Sequence, residues 1–267
     1  MKRVLAGVVV VSVAAAFLLA TAGSAGAVAR SAADLAADCN DDGVVSITTD
    51  TTFVGGTGEI TGIVMPPGTA APICLIDVAE PTVTLKMKNV TLHGVDGARI
   101  NIGQRSAANT TITITNSVIE TTGTGPLAGA LSIKSDCCSG TSGGLGATVT
   151  ITNSSLHGSS VELGASLGNA DNGRFTMRGT DVVADGDEFA SVADIVVLVS
   201  DDGVGGDATL QRNTFTAADG FLAQVGDHGH LSVTNNDFTR VGGSKVVDAG
   251  TGTTCTASGN TPAVVCS

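Results

Sequence analysis

Six stretches of the chain repeat one short pattern: alternating apolar residues, a turn residue, then another apolar position. They are residues 83–89 with Leu92, 112–116 with Ile119, 149–153 with Leu156, 175–179 with Val182, 208–213 with Phe215, and 231–236 with Phe238; residues 255–260 form a degenerate seventh. Aligning Met87, Ile114, Ile151, Met177, Leu210, Val233 and Ala257 gives steps of 27, 37, 26, 33, 23 and 24 residues. Self-similarity at this period marks a solenoid, in which each unit buries its apolar face only against its neighbours. Two-residue alternation makes each unit start with a strand that has one buried and one exposed face. The Asn or Gly that follows suits a tight, left-handed bend. Unequal steps imply a constant bend after the strand and variable loops elsewhere. Helix competes poorly, because Thr, Val and Ile fill the repeats and 36 glycines interrupt the rest. A β-sandwich would also show short strands, but it would not place the same Asn in the same turn of successive units.

Units such as Ile112-Thr113-Ile114-Thr115-Asn116-Ser117-Val118-Ile119 and Leu231-Ser232-Val233-Thr234-Asn235-Asn236-Asp237-Phe238 resemble the coils of the right-handed parallel β-helix superfamily. Pectate lyases, polygalacturonases and many non-enzymatic secreted or surface proteins belong to that pectate-lyase-like group. The resemblance covers about residues 83–260 and extends back toward residues 44–78. It implies an all-β, single-domain right-handed parallel β-helix of about eight to ten coils, with three parallel sheets.

The first residues read as an export signal. Lys2 and Arg3 precede an apolar run over 4–20, and Ala25-Gly26-Ala27 is a small-residue cleavage site. The expected organisation is therefore a signal peptide over 1–27, an N-terminal cap with the first coils over 28–80, and coils with a disulfide-closed end over 81–267. The expected location is extracellular or cell-surface, with no membrane insertion of the mature chain. Loss of Lys2 and Arg3 takes the formal charge from −12 to −14, which opposes nucleic acid and anionic membranes as partners. Six cysteines in an exported chain point to disulfides, although fifteen pairings are open. Cys39–Cys74 and Cys255–Cys266 would each tie down a terminus. That leaves the neighbours Cys137 and Cys138, whose Cα atoms sit only about 3.8 Å apart, below the usual disulfide range.

Registering the units sends Thr84, Thr113, Thr150, Thr176, Thr209, Ser232 and Thr256 outward as one hydroxyl column. A neighbouring column reads Lys86, Thr115, Thr152, Arg178, Gln211, Thr234 and Ser258. Such Thr-x-Thr rows could match a water lattice, but Thr also simply suits an exposed strand, and Lys86, Arg178 and Gln211 interrupt the second column.

Loops before the strands gather acids along one edge: Asp136, Asp171, Asp201, Asp202, Asp207, Asp227 and Asp248. In the lyases that the chain resembles, the loops beside the equivalent face carry calcium-binding acids. The resemblance thus implies Ca²⁺, which takes six to eight oxygen ligands; the plain alternative is a solvated acidic rim. Asp38-Cys39-Asn40-Asp41-Asp42-Gly43 matches the opening of a D-x-N-x-D-G calcium loop, with Asp38, Asn40 and Asp42 as ligands. The twelfth position is Thr49 where a bidentate acid belongs, so an Asx-rich turn explains the segment equally well. His93, Glu120 and His157 should occupy successive rungs, as a metal site or as a charge ladder. In Asp227-His228-Gly229-His230 both imidazoles would share one face if the segment is extended.

For catalysis, Asp181, Asp201, Asp202 and His228 follow the order of polygalacturonase acids, with Arg240 and Lys245 beyond them. Asp181 lies after its strand and the pair lies before the next, whereas glycoside hydrolysis needs two carboxylates across one bond, about 5–9.5 Å apart. A lyase needs a base beside a carboxylated sugar, and Arg178 is the best placed on the outer strand face. The chain has no Trp and no Tyr, so the aromatic platforms of sugar-cleaving grooves are missing. The balance favours a non-catalytic module that binds extracellular polysaccharide or a surface protein, with a polysaccharide lyase or hydrolase as the alternative.

Overall fold

In the computed structural model, residues 28–63, 72–123, 128–135, 145–167, 170–185 and 193–267 are described. The expected signal peptide over 1–27, Asp136, Cys137 and Cys138 lie outside these residues. Among the described residues, strands build three parallel sheets of nine, eight and seven members, called here the first, second and third sheets. The chain visits them in a fixed cycle. A second-sheet strand such as Leu131–Lys134 leads to a first-sheet strand, Thr148–Thr152, and then to a third-sheet strand, Ser155–Gly158. Seven complete coils are followed by two strands of an eighth, Lys245–Ala249 and Thr254–Ser258. The architecture is a right-handed parallel β-helix.

The inner column of the first sheet holds the alignment read from the sequence. Met87, Ile114, Ile151, Met177, Leu210, Val233 and Ala257 are register partners rung by rung. All but Ala257 are buried. The second-sheet column Ile102, Ile133, Leu163, Val197 and Ala223 and the third-sheet column Leu92, Ile119, Leu156, Val182 and Phe215 complete one continuous core. Near its C-terminal end the interior turns aromatic: Phe215 stacks on Phe238 at 4.9 Å, and Phe221 tilts against both.

The constant bend lies between the first and third sheets. Asn89, Asn116, Asn153, Gly179, Asn235 and Gly259 all take positive φ there. In the unit at 208–213 the left-handed residue is Arg212, one place before the Asn213 that the sequence singles out. Asn213 turns inward and founds a buried amide ladder with Asn236 and Asn260. Asn213 N donates to Asn236 Oδ1 at 2.9 Å, and Asn236 N donates to Asn260 Oδ1 at 2.9 Å. Their Nδ2 groups donate to the carbonyls of Met177, Leu210 and Val233. Ser117 and Ser154 fill the same column on earlier rungs. The corner glycine at 179 has two reasons to be Gly: φ is +58°, and a Cβ would sit 2.8 Å from Asn153 Oδ1 of the preceding coil.

The N-terminal end is closed by the helix Ala32–Asp42, which has Ser31 and Asp34 in a capping box and Gly43 as its left-handed C-cap. Its apolar face buries Ala32, Leu35, Ala36 and Cys39 over the first coil. Gly58 lets it approach, because a Cβ there would overlap the Ala32 carbonyl oxygen. Both expected disulfides are present: Cys39–Cys74 pins this helix with Cα atoms 5.2 Å apart, and Cys255–Cys266 pins the C-terminal tail at 6.1 Å. The tail also bridges to Val247 and Asp237, closing edges that would otherwise stay unpaired.

Asn236→Ala removes two accepted and two donated hydrogen bonds from a largely buried ladder, so about 2–3 kcal/mol of stability should be lost. Thr113→Ser on the outer face should change stability by less than about 0.5 kcal/mol. Chemical denaturation of both variants tests this, and equal effects would show that the ladder does not carry the bend.

Candidate functional site

Four outward-facing arrays compete as the functional site. On the first sheet the register differs from the sequence alignment at its start. Thr84 pairs with Thr111, Lys86 with Thr113, and Lys88 with Thr115. The central outer column therefore reads Lys86, Thr113, Thr150, Thr176, Thr209, Ser232 and Thr256, with six uninterrupted hydroxyls. Thr111 and Thr148 flank it on one side, with Thr115 and Thr152 on the other. The alignment slipped because Lys86 and Lys88 occupy positions that hydroxyls hold elsewhere.

The acidic edge is only partly gathered. Asp171 and Asp227 share a corner column but stand two rungs apart, with Val204 between them. Each is already used: Asp171 Oδ1 accepts from Val204 N at 2.8 Å and Asp227 Oδ1 from Thr251 N at 2.6 Å. Asp207 opens its strand elsewhere, 4.0 Å from Arg174 Nε. Asp201, Asp202, Asp227 and Asp248 do share an open recess of about 420 Å³, created where the strand Ile195–Val204 shifts register against its neighbour. Even so, among the described residues no three His, Cys, Asp or Glu side chains converge on a point that could hold a metal ion. The N-terminal segment is a correction to the calcium-loop reading: Asp38, Asn40 and Asp42 lie in the helix Ala32–Asp42, not in a loop. Asp38 pairs with Arg30 at 2.6 Å, and Asn40 Oδ1 accepts from the Thr61 and Gly62 amides. These donor sets do not fit Ca²⁺.

The third sheet carries the expected ladder and extends it. Glu59, His93, Glu120 and His157 are register partners on four successive rungs. Their contacts are pairwise, His93 Nδ1 to Glu120 Oε1 at 2.5 Å and His157 Nε2 to Asp185 Oδ2 at 2.8 Å, as in a charge ladder. His228 occupies a left-handed corner with φ of 57°, so the segment 227–230 is not extended and its two imidazoles do not share a strand face.

Sequence reading missed the second sheet. Asn101, Ser132 and Glu162 point outward in one column, with Lys134 diagonal to Glu162, yet each keeps at most 7 % of its surface. Lys134 Nζ meets Glu162 Oε2 at 2.8 Å, and Ser132 Oγ donates to the same oxygen at 3.4 Å. Arg105 Nη2 meets Asp77 Oδ2 at 2.5 Å, and Asn101 Nδ2 donates to Gln104 Oε1 at 2.6 Å. Burial pushes the Asp77 carboxyl above its ordinary range despite the opposing pull of Arg105. Burial likewise lowers Arg99, against the attraction of Glu162. Among the described residues Asp77 Oδ1 and Arg99 Nε are buried without a hydrogen-bond partner. Buried charges cost desolvation that pairing seldom returns in full, so such a cluster is weak as a stabiliser. Lys134 and Glu162 were visible as polar residues alternating with apolar ones, but nothing local signals that an outward face is covered.

Asp77 gives a pH test with a definite sign. Its raised folded pKa means that its stabilising contribution belongs to the protonated form and is lost as pH rises through that value. Asp77→Asn should therefore match or exceed the parent's stability at neutral pH, with the advantage shrinking as pH falls into the carboxylate range. Thermal melts from about pH 7 to about pH 3 check this, and a parent more stable at neutral pH would overturn it. Because no three of the acids converge on a point among the described residues, millimolar Ca²⁺ should move Tm by no more than about 1 °C, and a rise of several degrees would overturn this. Comparison with known proteins returns no matching family model, no matching curated protein and no matching solved structure.

Proposed function

We propose that the chain is an exported, non-catalytic β-helix module of the pectate-lyase-like kind that holds an extended polysaccharide against its side. The observation carrying this reading is the six-rung hydroxyl column on the outer face of the first sheet. A straight row of donors and acceptors at about 4.8 Å intervals offers repeated hydrogen bonds to a polymer that runs along the solenoid axis. Export is supported by the leader pattern and by two disulfides closing the ends. Among the described residues no helix is long and apolar enough to cross a membrane.

The non-catalytic side of the reading rests on geometry. Asp181 starts a third-sheet strand, whereas Asp201 and Asp202 line a recess at the edge of the second sheet, so they do not bracket one bond. Arg178 lies on the first sheet, away from both. The five described phenylalanines, Phe53, Phe175, Phe215, Phe221 and Phe238, are all core residues, so none of these five serves as a sugar platform.

A polysaccharide lyase is the second reading, and the covered Lys134–Glu162 pair with Arg99 nearby favours it, because lyase chemistry needs a base beside a sugar carboxylate. A screen of neutral and acidic polysaccharides, read by binding, ultraviolet absorbance and reducing ends, separates the two. Binding without either chemical signal is expected. Unsaturated products that disappear in Lys134→Met would replace the module reading with the lyase, and rising reducing ends alone would indicate a hydrolase.

A further inference from the structure

The hydroxyl face is also where an acidic protein concentrates its positive charge. Residues 28–267 carry eleven Lys and Arg against 25 Asp and Glu. Four of those cations, Lys86, Lys88, Arg174 and Arg178, point outward from first-sheet strands, together with a single acid, Asp207. Asp207 reaches only Arg174, at 4.0 Å, and among the described residues Lys86, Lys88 and Arg178 have no ion-pair partner. All four cations are exposed.

Their placement is ordered. Lys86 and Lys88 share the strand Thr84–Lys88, and Arg174 and Arg178 share the strand Arg174–Arg178. Between them lie two strands whose outer faces are only threonine: Thr111, Thr113 and Thr115, then Thr148, Thr150 and Thr152. Three rung steps separate the cation pairs, about 14 Å. The platform between them presents hydroxyls every 4.8 Å or so across the strands and about 6.6 Å along them.

Resting on the binding-module reading above, we infer that this threonine platform, clamped by Lys86/Lys88 and Arg174/Arg178, is the docking surface for a polyanionic glycan. Such a ligand combines the two chemistries the face presents. Its hydroxyls exchange hydrogen bonds with the threonines, while its phosphate, sulfate or carboxylate groups meet the cation pairs. A neutral chain would leave the four cations unused, and a nucleic acid, whose phosphates face outward, would meet the cations but leave the hydroxyl platform largely unused. Because the clamps are far apart, a ligand must span about 14 Å to engage both, so short oligomers should bind through one pair only.

The test is equilibrium binding of the full chain to dextran, dextran sulfate, polygalacturonate, a poly(glycerol phosphate) polymer and single-stranded DNA. The anionic glycans should bind, and their affinity should fall by about tenfold or more from low to high salt. The substitutions Lys86→Gln, Lys88→Gln, Arg174→Gln and Arg178→Gln together should abolish most of that affinity. Arg240→Gln with Lys245→Gln, off this face, should change it by less than about twofold. Thr113→Val with Thr150→Val should weaken the glycans while leaving the salt dependence intact. Circular dichroism and Tm of each variant guard against misfolding as the cause. Binding to dextran alone would overturn the charge inference but leave the module reading standing. No binding to any polymer would overturn both. Equal affinity for DNA would overturn the glycan assignment, and undiminished binding by the fourfold variant would overturn its location.

Discussion

Parallel strand pairing in exact register along one axis is the constraint on which the rest of this molecule depends. Because each rung lies about 4.8 Å above the last, a residue's neighbours above and below are its counterparts in adjacent coils. Side chains therefore act as columns. An isoleucine column becomes core, an asparagine column becomes a hydrogen-bonded spine at the bend, and a threonine column becomes a flat outer face. Ends are the weak points of such an assembly, and the chain spends a helix, a bridging tail and two disulfides on them.

The same constraint sorts the charged groups. Like charges in one column on adjacent rungs would repel, and the structure largely avoids this arrangement. Glu and His alternate on the third sheet, Arg174 is followed by Asp207, and Asp171 and Asp227 are separated by Val204. Of the acids that looked gathered in the linear sequence, Asp171 and Asp207 stand apart from the recess that Asp201, Asp202, Asp227 and Asp248 line, and Asp171 and Asp227 are spent on backbone amides of the next coil. The cations behave differently. Two cation pairs sit on the threonine face with Asp207 beside Arg174 as the one acid there, and Lys134 is sequestered with Glu162 beneath the surface of the second sheet. Neither arrangement is needed to close a solenoid.

Much of the fold was legible in the sequence because the information is local and repeated. Alternation gave the strands, Asn or Gly after each strand gave the bend, and the spacing of Met87, Ile114, Ile151, Met177, Leu210 and Val233 gave the inner column. Errors arose where a local signal was ambiguous. Thr84 resembled Thr113 in character, but Met87 fixed the register two residues later. Asp38, Asn40 and Asp42 matched a calcium loop in spelling, yet an apolar stripe of Ala32, Leu35, Ala36 and Cys39 made the same residues a capping helix. Arg212 took the left-handed corner because Asn213 was more useful inside, bonding to Asn236.

By itself the sequence determined that this chain coils, where it bends and which faces look inward. Those properties follow from side-chain periodicity and turn chemistry, which need no distant partner to be expressed. Tertiary structure alone decided which surface residues meet. The loops between rungs vary in length, so the distance between Lys88 and Arg174 along the chain says nothing of the three rung steps that separate them in space. It alone decided, too, that Asp77, Lys134 and Glu162 would be buried while pointing away from the core. Burial of an outward face depends on what lies over it, and that is a property of the whole assembled chain.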